Sequence, residues 1–81
     1  MKTTYISNGF RSVQAETMKE AAAIFAKRAA RKTYGSRGDV RTCNVGSYSQ
    51  DGTLAEFSAF VGLTRGNETT GHNIQFTVRT A

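Results

Sequence analysis

The stretch TMKEAAAIFAKRAARKTYG, residues 17–35, has the length and period of one amphipathic helix, and it leaves the rest of the 81-residue chain to strands and turns. Thr17-Met18-Lys19-Glu20 has capping-box spacing. The Thr17 hydroxyl is expected to accept from the third helical amide, with Glu20 reaching back to the cap's own N–H. Good helix formers run to about Lys32, and Gly35 suits the left-handed residue past the end. At about 100° per residue, Met18, Ala21, Ala22, Phe25 and Ala29 form one apolar stripe. A stripe made mostly of alanine fits a helix lying close against a sheet.

Two hairpins flank this helix. KTTYIS and FRSVQAE are joined by Asn8-Gly9, a dipeptide suited to the positive φ angles of a tight turn. A two-residue loop there pairs Ser7 with Phe10 and Thr4 with Val13, placing Ile6, Val13 and Ala15 on one face and Tyr5 and Phe10 on the other. VRTCNVGSYS and TLAEFSAFVGLT are joined by Asp51-Gly52. That loop sets Val40 against Leu63, Thr42 against Val61, Gly46 against Phe57 and Tyr48 against Ala55. Ala55, Phe57, Ala59, Val61 and Leu63 then line the buried face, with Leu54 and Phe60 pointing away. A nine-residue polar loop, RGNETTGHN, precedes a last strand, IQFTVRT, with Ile74, Phe76 and Val78 inward.

The expected fold is α+β: a five-stranded antiparallel sheet with one helix packed on one face, in the order β-β-α-β-β-β, over a single compact domain spanning residues 1–81. The uncovered face is expected to carry Tyr5 or Phe10, Cys43 and Phe60, an apolar patch for association. At 38% apolar and 10% aromatic the chain sustains a modest core, and eight glycines without a proline agree with strands and turns.

Catalytic and metal chemistry finds few parts here. His72 lies in the Gly/Asn/Thr-rich segment with no carboxylate or cysteine spaced to share a metal, and it is expected to be a solvated loop residue. The single cysteine, Cys43, permits no internal disulfide and reads as a small apolar filler of a strand. YGSRGD lacks both the spacing and the following helix of a phosphate-binding loop. The expectation is a non-enzyme with no cofactor and no metal. The longest apolar run, AAAIFA, is too short to span a bilayer, so no membrane partner is expected. MKTTYISNGF has no apolar run behind its lysine, which points to a cytoplasmic protein.

The charge balance is more informative. Eleven Lys and Arg against six Asp and Glu give a net charge of +5, which favours a polyanionic or acidic partner. Residues 26–38 hold Lys27, Arg28, Arg31, Lys32 and Arg37 and no acid. Lys27 with Arg31, and Arg28 with Lys32, are like-charge i, i+4 neighbours on a helix, each pair unfavourable by roughly 0.2–0.5 kcal/mol. One or two cations complement the helix C-terminus, but four exceed that need. Arg37 and Arg41 extend the run, and Ile24 lies off the apolar stripe beside it. An apolar residue in a basic rim suits a protein interface. The expected partner-binding set is Ile24, Lys27, Arg28, Arg31, Lys32, Tyr34, Arg37 and Arg41, with Tyr34 adding stacking or a hydrogen bond.

In its single short domain of strands around one alanine-rich helix, read from SVQAETMKEAAAIFAKRAARKTYG and the hairpin SYSQDGTLAEF, the chain resembles the small phage-encoded anti-CRISPR proteins that inhibit type I surveillance complexes. The resemblance implies a non-enzymatic inhibitor, acting in the host bacterial cytoplasm, that docks on Cas protein subunits and blocks target DNA binding. Many such proteins are acidic and imitate DNA. A chain at +5 departs from that pattern, so its expected contact is an acidic protein surface, or nucleic acid engaged on the complex. Two other readings stand beside it: a small basic domain gripping DNA or RNA phosphates, and a phage structural or morphogenetic protein that self-associates through its open sheet face.

Overall fold

The computed structural model describes residues 2–7 and 9–81. The elements are β1 (Thr3–Ile6), β2 (Val13–Ala15), α1 (Met18–Tyr34), a 3-10 turn (Gly35–Arg37), β3 (Asp39–Tyr48), β4 (Leu54–Arg65) and β5 (Glu68–Thr80). All strand pairings are antiparallel, in one five-stranded sheet of spatial order β2-β1-β5-β4-β3. α1 packs on one face of it, which is the expected α+β layout.

Local chemistry sets the helix ends. Thr17 is extended, and its hydroxyl accepts from the Glu20 N–H at 3.1 Å. The Glu20 carboxylate reaches one residue further back than expected, accepting from the Glu16 N–H at 3.2 Å. Gly35 closes the helix at φ 79°, donating to the Arg31 carbonyl. The buried face is Met18, Ala21, Ala22, Phe25, Ala26 and Ala30, so Ala26 and Ala30 join the stripe while Ala29 is only half-buried.

Strand register departs from the expected pairing in each hairpin. β1 and β2 pair Tyr5 with Val13 and Thr3 with Ala15, one residue off the two-residue-loop register. That slip exchanges faces: Tyr5 enters the core and Ile6 is the half-buried residue outside it. Phe10 donates its N–H to the Ser7 carbonyl across the connection at 3.2 Å. The expected turn at Asn8-Gly9 falls partly on Asn8, outside the described residues. Between β3 and β4, Tyr48 faces Ala55 as expected, but irregularities at Val40/Thr42 and Val45/Ser47 shift the rest. Val45 rather than Gly46 faces Phe57, Thr42 faces Phe60, and Val40 faces Val61. The connection also widens: the Ser49 N–H donates to the Leu54 carbonyl at 2.7 Å, and Gly52 takes φ 74° within the turn.

The largest correction concerns residues 65–73. These are not a loop. β4 and β5 run paired without a break from Leu54↔Arg79 to Arg65↔Glu68, joined only by Gly66-Asn67. Gly66 has φ 61° and Asn67 does not share the positive sign, the backbone pattern of a turn with glycine first. The tip projects past the helix with Thr64 to Thr70 exposed. It has no apolar alternation because it has no core to face.

Ala55, Phe57, Ala59 and Val61, with Val78, Phe76, Ile74 and His72 opposite them, face α1. Leu63 is only half-buried. The other face carries Glu56, Ser58, Asn73, Gln75, Thr77 and Arg79, with Ile6, Leu54 and Phe60 among them. The expected apolar patch does not form on it: Tyr5 is in the core, Phe10 packs on Phe25 at 5.9 Å between ring centroids, and Cys43 packs against both core clusters. Of that expected patch Phe60 alone stays outside, its ring lying over Gly71.

Gly62 pairs with Gly71, and a Cβ at Gly62 would meet the Thr70 carbonyl and lie 2.7 Å from the Gly71 Cα. Gly62→Ala is expected to destabilise the protein by about 1–3 kcal/mol, read as a lowered urea midpoint. Asp51 offers a second check. Hydrogen bonds from the Ser49 hydroxyl, then from the Thr53 hydroxyl and N–H, hold its carboxyl at about 2, below the ordinary 3.8. A pKa depressed by folding favours the turn above pH 3.8, and that support is lost as pH falls through about 2. Carbon-detected NMR titration of the Asp51 carboxyl is expected to give a midpoint near 2.

Candidate functional site

Helical geometry sorts the basic cluster into two groups. Ile24, Lys27 and Arg31 fall within about 60° of arc on the side of α1 opposite its buried face. All three are exposed, Ile24 to 38%. Glu20, the only acid in α1, shares this arc, but its carboxylate is engaged by the Glu16 N–H. The outer face of α1 is thus an apolar side chain with cations around it and one acid at its N-terminal end.

Arg28 and Lys32 lie further round, on the flank that Phe25 shares. Arg28 donates to the Arg11 carbonyl at 3.0 Å, which ties the helix to the segment between β1 and β2. Lys32 stands within about 20° of Phe25 on the helical wheel, yet Phe25 is fully buried and Lys32 is exposed. The sheet beneath this flank has therefore ended by the last turn of α1.

The remaining expected residues diverge. Tyr34 turns back to the sheet, its hydroxyl sharing a hydrogen bond with His72 Nδ1 at 2.6 Å, with the rings 5.6 Å apart. His72 is accordingly a β5 residue opposite Val61 with a hydrogen-bond partner, and not a loop histidine. Arg37 is exposed in the 3-10 turn. Arg41 sits at the β3 irregularity and donates to the Thr64 hydroxyl, which ties it to the long hairpin instead of the helix. Of the expected set, Ile24, Lys27 and Arg31 share the outer face of α1 and Arg28 and Lys32 the adjoining flank, while Tyr34 and Arg41 are held elsewhere.

Cys43 is a half-buried free thiol whose pKa is pushed up by burial, an effect that nearby Lys19 opposes. Among the described residues no group of three or more His, Cys, Asp and Glu is placed to hold a metal ion. No helix is long and apolar enough to cross a membrane.

One feature had no place in the sequence reading: the side of β5 that faces away from β4. Among the described residues, β1 pairs with β5 at Tyr5↔Thr80 and Ile6↔Arg79. A groove of about 440 Å³ runs beside the segment this leaves open, lined by Phe10, Phe25, Ala29, Ile74, Phe76 and Thr77 among others. The Gly66-Asn67 dipeptide was the available signal that the strand begins early enough to form such an edge.

Comparison with protein-family models, with curated proteins and with solved structures finds no match to this chain. Tyr34→Phe removes the hydrogen bond to His72 while leaving the outer face of α1 intact. It is expected to cost roughly 0.5–1.5 kcal/mol in urea unfolding and to leave partner binding unchanged.

Proposed function

We propose that this chain is a non-enzymatic binding protein that docks on an acidic protein surface through the outer face of α1. The observation that carries this reading is the exposed Ile24 set among Lys27, Arg28 and Arg31 on a helix with a single acid, Glu20, in its first turn. Interfaces of this make-up place an apolar centre inside a polar border. The cations steer an acidic partner inward, and Ile24 supplies area to desolvate on contact. The specific form of the proposal is an inhibitor of type I CRISPR surveillance complexes, working in the cytoplasm of the bacterial host. It binds a Cas subunit and prevents target DNA from binding.

Charge reversal at Lys27, Arg28 and Arg31 together is expected to abolish inhibition of interference without lowering the thermal midpoint by more than a few degrees. Full inhibition by the triple variant removes this surface from the mechanism. The same cations also support a second reading, direct binding to nucleic-acid phosphates. That reading predicts affinity for duplex DNA falling with salt at a logarithmic slope of about −0.9 per phosphate neutralised. Absence of DNA and RNA binding at low salt excludes it. Self-association through the open sheet face has less support, because that face sets Ile6, Leu54 and Phe60 apart among amide, hydroxyl and charged side chains.

A further inference from the structure

Sheet edges are templates for adding another strand, and proteins usually blunt them. Two edges here are blunted. β2 is three residues long, and β3 is broken by irregularities at two places. The stretch Asn73–Thr77 of β5 is different. Among the described residues it has no partner in β1, it pairs with β4 in unbroken register, and it contains neither a charge nor a proline.

The direction of its backbone groups follows from one bond. The Thr80 N–H donates to the Thr53 carbonyl, on the β4 side. Alternation along the strand then turns the even-numbered amides toward β4 and those of Asn73, Gln75 and Thr77 toward the open edge. Cavities lie on both sides of it: the groove against α1, and a second of about 550 Å³ lined by Ile6, Ser7, Phe10, Leu54, Thr77 and Arg79. Ser7 is 8% exposed, and its hydroxyl finds no hydrogen-bond partner among the described residues. An unpartnered buried hydroxyl beside unpaired strand amides marks a place where polar backbone from outside completes the bonding.

We propose that the free edge of β5, Asn73–Thr77, is a strand-addition site for an extended acidic segment of a partner protein. The added strand continues the line that β1 leaves at Ser7. Its alternate apolar side chains enter the groove over Phe10, Phe25, Ala29, Ile74 and Phe76, while its backbone pairs with β5. Charge selects the occupant. Lys32 stands exposed on the Phe25 flank of α1, the flank that borders the groove, and Arg79 lines the second cavity. A second copy of the chain carries the same cations and a net charge of +5, so two edges brought together repel. This site goes beyond the proposed docking face on α1, since a partner can use either surface without the other.

The test uses a fluorescent synthetic peptide of about eight residues alternating valine and glutamate, titrated into the full chain. Saturable anisotropy is expected, together with slowed hydrogen exchange at the amides of Asn73, Gln75 and Thr77. Gln75→Pro removes an edge donor while sparing the bonds to β4, and is expected to weaken binding at least tenfold. The same peptide N-methylated at alternate amides is expected to lose binding with the protein untouched, and a valine/lysine version to bind at least tenfold more weakly. Equal binding of the N-methylated peptide overturns strand addition, as does no binding at millimolar peptide. Protection of these amides that rises with protein concentration alone, or with duplex DNA, assigns the edge to a second copy or to nucleic acid and overturns the proposal.

Discussion

Phe25 is the contact on which the rest of the structure depends. The buried face of α1 holds two large side chains, Met18 and Phe25, and surrounds them with Ala21, Ala22, Ala26 and Ala30. Alanine lets the helix backbone come close to the strands, and the close approach brings Phe25 to zero exposure. Its ring meets Phe10 at 5.9 Å, and it shares a core cluster with Phe57, which stacks on Phe76 at 5.9 Å. Losing a buried phenylalanine costs about 3–5 kcal/mol. In a domain this small that is a large part of a net stability of order 5–15 kcal/mol. The helix that offers the basic surface is therefore held in place chiefly by one ring.

Seating one short helix on a longer sheet leaves parts of the sheet uncovered, and these are the parts with functional interest. β4 and β5 outrun α1 at their turn, which makes the molecule 43 Å long and 21 Å across. β1 is four residues and β5 thirteen, so among the described residues most of one side of β5 has no strand paired with it. The same mismatch exposes Lys32 on a flank whose earlier turn is buried. Basic side chains thus reach two places, the outer face of α1 and the margin of the β5 groove.

What could be read in the sequence had its signal within a few residues. The Thr17 cap, the Gly35 stop and the alternation of Ala55, Phe57, Ala59 and Val61 were legible because capping and one-sided burial leave local patterns. Register was less legible. The observed shifts at Val40/Thr42 and Val45/Ser47 are irregularities that no neighbouring residue announces. Tyr5 and Ile6 exchanged faces because one extra residue in a connection inverts every side chain of a short strand. The arm around Gly66-Asn67 was hidden for another reason: both faces of its strands are wet, so hydropathy had nothing to alternate.

By itself the sequence determined one central helix between antiparallel hairpins, the identity of most core residues, and a run of cations on that helix. Those features follow from backbone propensity, capping and periodic burial, which act over a turn or a strand. The tertiary structure decided that Ile24, Lys27 and Arg31 stand on the outer face, that Arg28 and Lys32 stand on the flank, and that Tyr34 and Arg41 are drawn off to His72 and Thr64. It also decided that β5 keeps an open edge beside an apolar groove. Both depend on where strands of unequal length end against each other, and chain neighbours carry no record of that.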